Sequence, residues 1–183
     1  MAGAVSIRAS EDADIAPIAA IYRHHVLNGV ASFEETPPDP AEIARRRGEI
    51  VARGLPYLVA EEAGQVAGFA YASLYRTRSA YRFTVEDSIY IEHALVGRGI
   101  GRALLGALVE RCTAAGYRQM VAVIGGSDQW PSIGLHRALG FSLVGTLPAV
   151  GAKFGSWVDV VLMRRALGPG TTTPPESIGG DHA

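Results

Sequence analysis

Gly97-Arg98-Gly99-Ile100-Gly101-Arg102 decides how this chain reads, because it stands between an extended run and a helical one. Upstream, Thr84 to Ile91 is β-branched and aromatic (Thr84, Val85, Ile89, Tyr90, Ile91), as a strand requires. Downstream, Ala103-Leu104-Leu105, Leu108-Val109 and Cys112 recur at helical spacing. A glycine-rich turn opening a helix leaves several N–H groups unpaired and pointing one way, and the helix dipole adds positive potential there. Such a turn is a seat for phosphate, with Arg98 and Arg102 adding positive charge beside it.

Three kinds of ligand use turns of this sort. A nucleotide P-loop requires G-x-x-x-x-G-K-S/T, and no Lys-Ser or Lys-Thr follows these glycines. A dinucleotide turn requires G-x-G-x-x-G after the first strand of a βαβ unit, with an acidic residue about 20 positions on. Here the glycines run G-x-G-x-G in mid-chain, and the next strand, Gln119 to Ile124, ends in Gly125-Gly126. The third ligand is the pyrophosphate of coenzyme A, gripped by a short turn while the pantetheine lies along a strand. On this stretch alone, a helix start that binds nothing stays open beside it.

With 183 residues, 48% of them hydrophobic, the chain suffices for one well-packed domain and is short for two. That domain is expected at 1–167. A disordered tail follows at 168–183, too rich in Gly, Pro and Thr to bury the apolar surface that ordering needs. The net charge of −1 argues against a dedicated nucleic-acid or anionic-membrane surface. The single cysteine, Cys112, allows no internal disulfide and points to the reducing cytoplasm, and its helical apolar setting makes it a core residue rather than a nucleophile. Neither a signal peptide nor a membrane span is expected. His24-His25 and His93 lack metal-ligand company, so no metal is expected.

Val5 to Ala9 alternates like a strand, and Ser10, before Glu11 and Asp12, is a candidate N-cap for a helix with Ile15, Ile18, Ala19 and Tyr22 on its apolar face. Asn28-Gly29 stops that helix, and Pro40 opens a second one. Tyr57–Glu61 and Val66–Tyr75 read as a hairpin turning at Ala63-Gly64. After the glycine turn come a helix to Ala115, a strand Arg118–Ile124, a short helix Pro131–Leu139, and strands Ser142–Val150 and Trp157–Arg164. The order β-α-α-β-β-β-α-β-α-β-β predicts an α/β fold, a mixed sheet with helices on both faces, rather than a doubly wound dinucleotide fold.

Ile89-Tyr90-Ile91 followed by Gly97 to Leu105 resembles the central motif of the GCN5-related N-acetyltransferases (GNAT), Q/R-x-x-G-x-G/A. More closely, the chain is similar to the phosphinothricin and methionine-sulfone type of small-molecule acetyltransferase. The matches are Tyr81-x-x-Thr84-Val85-Glu86, Ser132-Ile133-x-Leu135-His136-x-x-Leu139-Gly140-Phe141 and Val150-Gly151-x-Lys153-Phe154-Gly155-x-Trp157-x-Asp159. The likeness runs from Val5 to Arg165. Val96 departs from the motif's first position unless it is read one step later, as Arg98-x-x-Gly101-x-Ala103; Gln129 stands where Asn is usual, and Trp130 is bulky for its place.

The resemblance implies the GNAT fold, with a central, largely antiparallel, splayed sheet. It implies acetyl-CoA as cofactor, held by the main chain of Ile89, Tyr90 and Ile91, by Gly97, Arg98, Gly99, Ile100, Gly101 and Arg102 at the diphosphate, and by Gln129, Ser132 and Ala138. Gly101→Asp is expected to abolish binding by setting a charge against the diphosphate. Homodimers with substrate sites near the interface are also implied.

Acetyl transfer from a thioester to an amine requires loss of an amine proton, stabilisation of an oxyanion and departure of a thiolate. Glu86 sits among Phe83, Val85 and Ile89, apolar neighbours that raise a carboxylate toward the useful range, and the resemblance places it at the family's catalytic position, where it is expected to take the amine proton directly or through water. By position, His136 resembles a proton-transfer partner, and Tyr90, on the same strand face as Glu86, is a candidate acid to the thiolate. For the substrate, the resemblance assigns Arg78, Ser79, Ala80 and Tyr81, with Val85, Glu86 and Asp87, and Phe33 is placed at an apolar wall. For Lys153, Phe154 and Trp157, roles in packing, at the substrate or at the partner subunit all stay open. The resemblance implies an acetyl-CoA-dependent N-acetyltransferase acting on a small amino-acid-like amine, with detoxification of a phosphinothricin, methionine sulfoximine or methionine sulfone type of compound as the specific expectation. The alternatives are another amine (an aminoglycoside, a polyamine, a protein amino terminus) or a non-catalytic acyl-CoA sensor.

Overall fold

The computed structural model describes residues 5–175, which run β1 (Val5–Ala9), α1 (Ile15–Asn28), α2 (Pro40–Ala52), β2 (Tyr57–Glu62), β3 (Gln65–Leu74), β4 (Thr84–Ile91), α3 (Ile100–Ala114), β5 (Gln119–Gly125), α4 (Trp130–Ala138), β6 (Ser142–Lys153) and β7 (Ser156–Ala166). The strands make one sheet in the order β1-β2-β3-β4-β5-β7-β6, antiparallel at every pair except β4–β5. Both the mixed sheet and the element order are as the sequence predicts. Among the described residues no helix is long and apolar enough to cross a membrane.

The side-chain alternation of β4 sorts the core. Val85, with Ile89 and Ile91 beside it, packs under Leu104, Leu105 and Leu108 of α3. On the other face Tyr90 joins Phe69, Tyr22 and Ile18 beneath α1 and α2. Burial of each such leucine contributes roughly 1.5–3 kcal/mol, so α3 clamps the β1–β4 half of the sheet.

The parallel pair is short. Thr84 to Asp87 face Gln119 to Ala122, and beyond that point β5 keeps only β7 as a partner, through Gly125↔Val160. The two halves of the sheet therefore part beyond Asp87 and Ala122.

Several local expectations give way. Ser10 is not the cap: the Glu11 amide donates to Asp14 Oδ2 (2.7 Å) and Arg8 pairs with the same carboxylate (2.7 Å), so Asp14 organises a 3₁₀ turn before α1. Ser10 is buried and accepts from Arg47 Nε instead. Gly29 is extended rather than left-handed, and the Asn28 side chain donates to His24 O to close α1. β6 runs past Val150 to Lys153, because Phe154 (φ 52°) and Gly155 (φ 73°) make a two-residue hairpin turn with β7. Residues 168–175, expected within a disordered tail, turn back on the sheet, where Arg118 donates to the carbonyls of Gly170 and Thr173. The rest of that tail, 176–183, lies outside the described residues.

Candidate active site

Where β4 and β5 part, a cavity of about 560 Å³ opens, lined by Glu86 to Tyr90, Ala122 to Gly125, the loop Val30 to Glu34, and Gln129, Ser132 and His136. Its main-chain chemistry follows from the ladder. The Glu92 amide bonds Ala67 O and the Tyr75 amide bonds Thr84 O, so even-numbered residues of β4 pair with β3. The amides of Ile89 and Ile91 therefore point into the gap and have no partner across it, since the β5 ladder has ended. That of Tyr90 is committed to β3, which corrects its expected main-chain role at the cofactor.

The glycine turn sits at the mouth of the same gap. Gly97 (φ 85°) and Gly99 (φ 83°) are left-handed, and Gly99 is the N-cap of α3 with no side chain covering the first amides. Gly101 differs. An added Cβ would stand 3.2 Å from Leu135 Cδ2, near Ile89 and Ile91, so the missing side chain serves helix packing, while the Gly101 amide stays among the uncapped first-turn amides of α3. Arg98 donates to Glu62 (2.9 Å), which engages its guanidinium, while Arg102 is exposed. Gln129 stands at the N-cap position of α4 without a side-chain capping bond and Ser132 follows within the first turn, both on the cavity, whereas Ala138 ends α4 exposed and outside the lining.

Glu86 lies half-buried on the cavity wall. Burial pushes its carboxyl above the usual glutamate range, the Asp87 charge pushes it further, and Arg76 opposes both. On the opposite strand face, Asp87 is paired with His136: Nε2 stands 2.9 Å from Asp87 Oδ2, with both side chains 2% exposed. His136 Nδ1 donates to Ser132 O (2.7 Å). Burial pulls the imidazole down, but the hydrogen bond and charge of Asp87, with the Ser132 carbonyl, outweigh it and hold His136 above its ordinary pKa. Both ring nitrogens thus face oxygen acceptors, the arrangement of an imidazolium. Asp87 Oδ1 is buried with no partner among the described residues, at the cavity wall.

The remaining expected site residues divide between the cavity and positions outside it. The Tyr90 ring sits 5.0 Å from Tyr22 and 5.1 Å from Phe69, and burial pushes its hydroxyl well above the ordinary tyrosine value, a poor setting for a proton donor. Val85 is 0% exposed under α3 and presents nothing to a substrate. Arg78, Ser79, Ala80 and Tyr81 form an exposed turn that does not line the cavity of their own chain. Phe33 does line it. Two contacts lay beyond the sequence reading: Asp87 as the partner of His136, and His25, whose Nε2 donates to Ile91 O (2.8 Å) at the edge of the gap. An acid at a strand position facing a helix histidine is visible only once the register is known.

The Acetyltransferase (GNAT) family model matches residues 18–141. A phosphinothricin N-acetyltransferase of Alcaligenes faecalis is 51% identical over 94% of this chain and 88% of its own length. An L-methionine sulfoximine/L-methionine sulfone acetyltransferase of Pseudomonas paraeruginosa is 43% identical over 92% and 98%. The solved structure of a GNAT superfamily phosphinothricin acetyltransferase from Sinorhizobium meliloti, in complex with AcCoA, is 53% identical and superposes with a TM-score of 0.93 over 97% of both chains.

Proposed function

The chain belongs to the GNAT acetyltransferase family, and from that premise we propose that it moves the acetyl group of acetyl-CoA onto the amino group of a small amino-acid-like acceptor, of the phosphinothricin, methionine sulfoximine or methionine sulfone kind. The observation that carries this reading is Glu86, a carboxylate raised by burial and set on the cavity wall beside two unpaired strand amides.

The residues fit the cofactor. Ile89 and Ile91 offer free N–H groups along the gap, and Gly97 to Arg102 offer uncapped amides and a dipole end for the diphosphate. Acetyl-CoA supplies an acetyl group activated as a thioester. Glu86 takes a proton from the acceptor's ammonium, whose freed lone pair would form the new N–C bond while the thioester C–S bond breaks and CoA leaves as the thiolate. The same preorganised amides stabilise negative charge developing on the acetyl oxygen. Asp87 and His136 act at the apex of the gap, where Asp87 holds the imidazolium in place and its second oxygen awaits a donor.

We further propose a homodimer. The β6–β7 hairpin exposes Leu143, Val144, Val150, Phe154 and Trp157, an apolar surface that suits a second copy. Within a dimer Arg78 to Tyr81 keep a role at the acceptor that they lack in one chain. A cytoplasmic enzyme disarming such acceptors completes the reading.

The test is CoA release from acetyl-CoA, followed with a thiol reagent, across L-phosphinothricin, methionine sulfoximine, methionine sulfone, free amino acids, aminoglycosides and polyamines. Saturable release with the first three is expected. Silence across the panel with acetyl-CoA still binding by calorimetry would overturn the proposal in favour of an acyl-CoA sensor.

A further inference from the structure

Lys153 is 3% exposed, yet makes no salt bridge among the described residues. Its Nζ donates to two backbone carbonyls, Gly29 O (2.8 Å) and Ser32 O (2.6 Å), both in the loop that follows α1. Burial lowers its pKa, and the charges of Glu35 and Glu34 pull the other way. A buried ammonium held by carbonyl dipoles costs more to bury than a packed methionine, so stability alone does not account for it.

The loop it grips is the wall of the catalytic cavity, from Val30 to Glu34. Next to the clamp, the Phe33 ring, 42% exposed, lies with one side against a notch that two glycines leave in the sheet. A Cβ at Gly151 would lie 2.2 Å from that ring, and one at Gly125 would lie 2.2 Å from Val30 O and 2.7 Å from the ring. On the loop's far side, Tyr22 OH bonds Ser32 Oγ (2.8 Å) and Glu34 (2.9 Å), and Arg46 pairs with Glu34 (2.5 Å). The loop is thus fastened to α1 and α2 on one side and to the β6–β7 hairpin on the other. The second fastening is Lys153.

We propose that Lys153 is a positioning residue for acceptor recognition: its ammonium clamps residues 29–32 to the sheet, seats Phe33 in the Gly125–Gly151 notch, and so fixes the size of acceptor side chain that the cavity admits. This rests on the small-acceptor reading above. Without the ammonium, the buried Ser32 carbonyl and the part-buried Gly29 carbonyl lose this partner, and they recover hydrogen bonds by moving toward water. Phe33 then leaves its notch and the wall loosens. The amides of Ile89 and Ile91 and the glycine turn are untouched.

Lys153→Met tests this, with Gly151→Ala as a second variant that displaces the Phe33 ring while leaving the ammonium in place. Both should raise KM for L-methionine sulfone roughly ten- to a hundredfold, as displaced positioning groups do. Acetyl-CoA Kd by calorimetry should stay within about twofold. Selectivity for methionine sulfone over L-tryptophan should narrow, and hydrogen–deuterium exchange should quicken at residues 30–34. An unchanged KM for methionine sulfone, or an equal loss of acetyl-CoA affinity and acceptor affinity, would overturn the proposal. If the wild type acetylates no acceptor of this class, the functional reading fails on its own. The exchange rates then still decide the clamp: unaltered exchange at 30–34 in Lys153→Met overturns it.

Discussion

Glu86 and Asp87 are neighbours in sequence and opposites in environment. One carboxylate faces the cavity with its pKa raised by burial; the other is turned to the helix side and committed to His136. Glu86→Gln should lower kcat roughly 10²- to 10⁴-fold and leave acetyl-CoA affinity unchanged, as steady-state kinetics and calorimetry would show. Because the Glu86 pKa is raised, kcat/KM should climb with pH along an acid limb lying above the usual glutamate range, and Glu86→Gln should remove that limb. Asp87→Asn keeps the shape but removes the charge that holds His136 protonated. The imidazole ¹⁵N titration of His136 should then move to lower pH, and kcat should fall. Linkage fixes the sign for stability. His136 is raised in the folded state, so its contribution is complete below the unfolded value of about 6.5 and disappears as pH rises through the folded pKa. Scanning calorimetry at rising pH above about 6.5 should therefore find the advantage of wild type over Asp87→Asn shrinking. Glu86 was singled out in the sequence by its apolar neighbours together with the family resemblance; the partner of His136 was not legible, because 49 residues separate the two.

At the scale of elements, the glycine turn divides into two kinds of glycine that the sequence could not tell apart. Gly99 is required by its left-handed backbone, and a Cβ there would meet open space. Gly99→Ala should cost about 1–2 kcal/mol in denaturant unfolding and weaken acetyl-CoA binding as the α3 cap relaxes. Gly101 is required by packing, and Gly101→Asp would bury a carboxylate against Leu135, Ile89 and Ile91. It should destabilise by upwards of about 2 kcal/mol, so loss of cofactor binding would accompany a lowered Tm rather than act through charge at the diphosphate alone. The helices were readable from apolar spacing and from Asp39-Pro40, where Asp39 caps the Glu42 amide (2.8 Å). The start of α1 was not, because Arg8, from the preceding strand, recruits Asp14 and moves the cap off Ser10.

For the whole molecule, the apolar face of the β6–β7 hairpin carries the dimer proposal, with Val144 64% and Trp157 75% exposed in one chain. Sedimentation velocity should find twice the monomer mass, and Trp157→Arg, which sets a charge in that face, should return the monomer. The sequence by itself determined the element order, the glycine turn that opens α3 and the family motifs, because periodicity, capping and glycine spacing are local properties of the chain. Tertiary structure alone decided which groups meet. The gap exists because β5 abandons β4 after Ala122 for an unbroken ladder with β7. The cavity wall holds because Lys153 reaches a loop more than a hundred residues earlier, its carbonyls 121 and 124 positions away. Such contacts are written by register and packing, which act between segments that no local pattern connects.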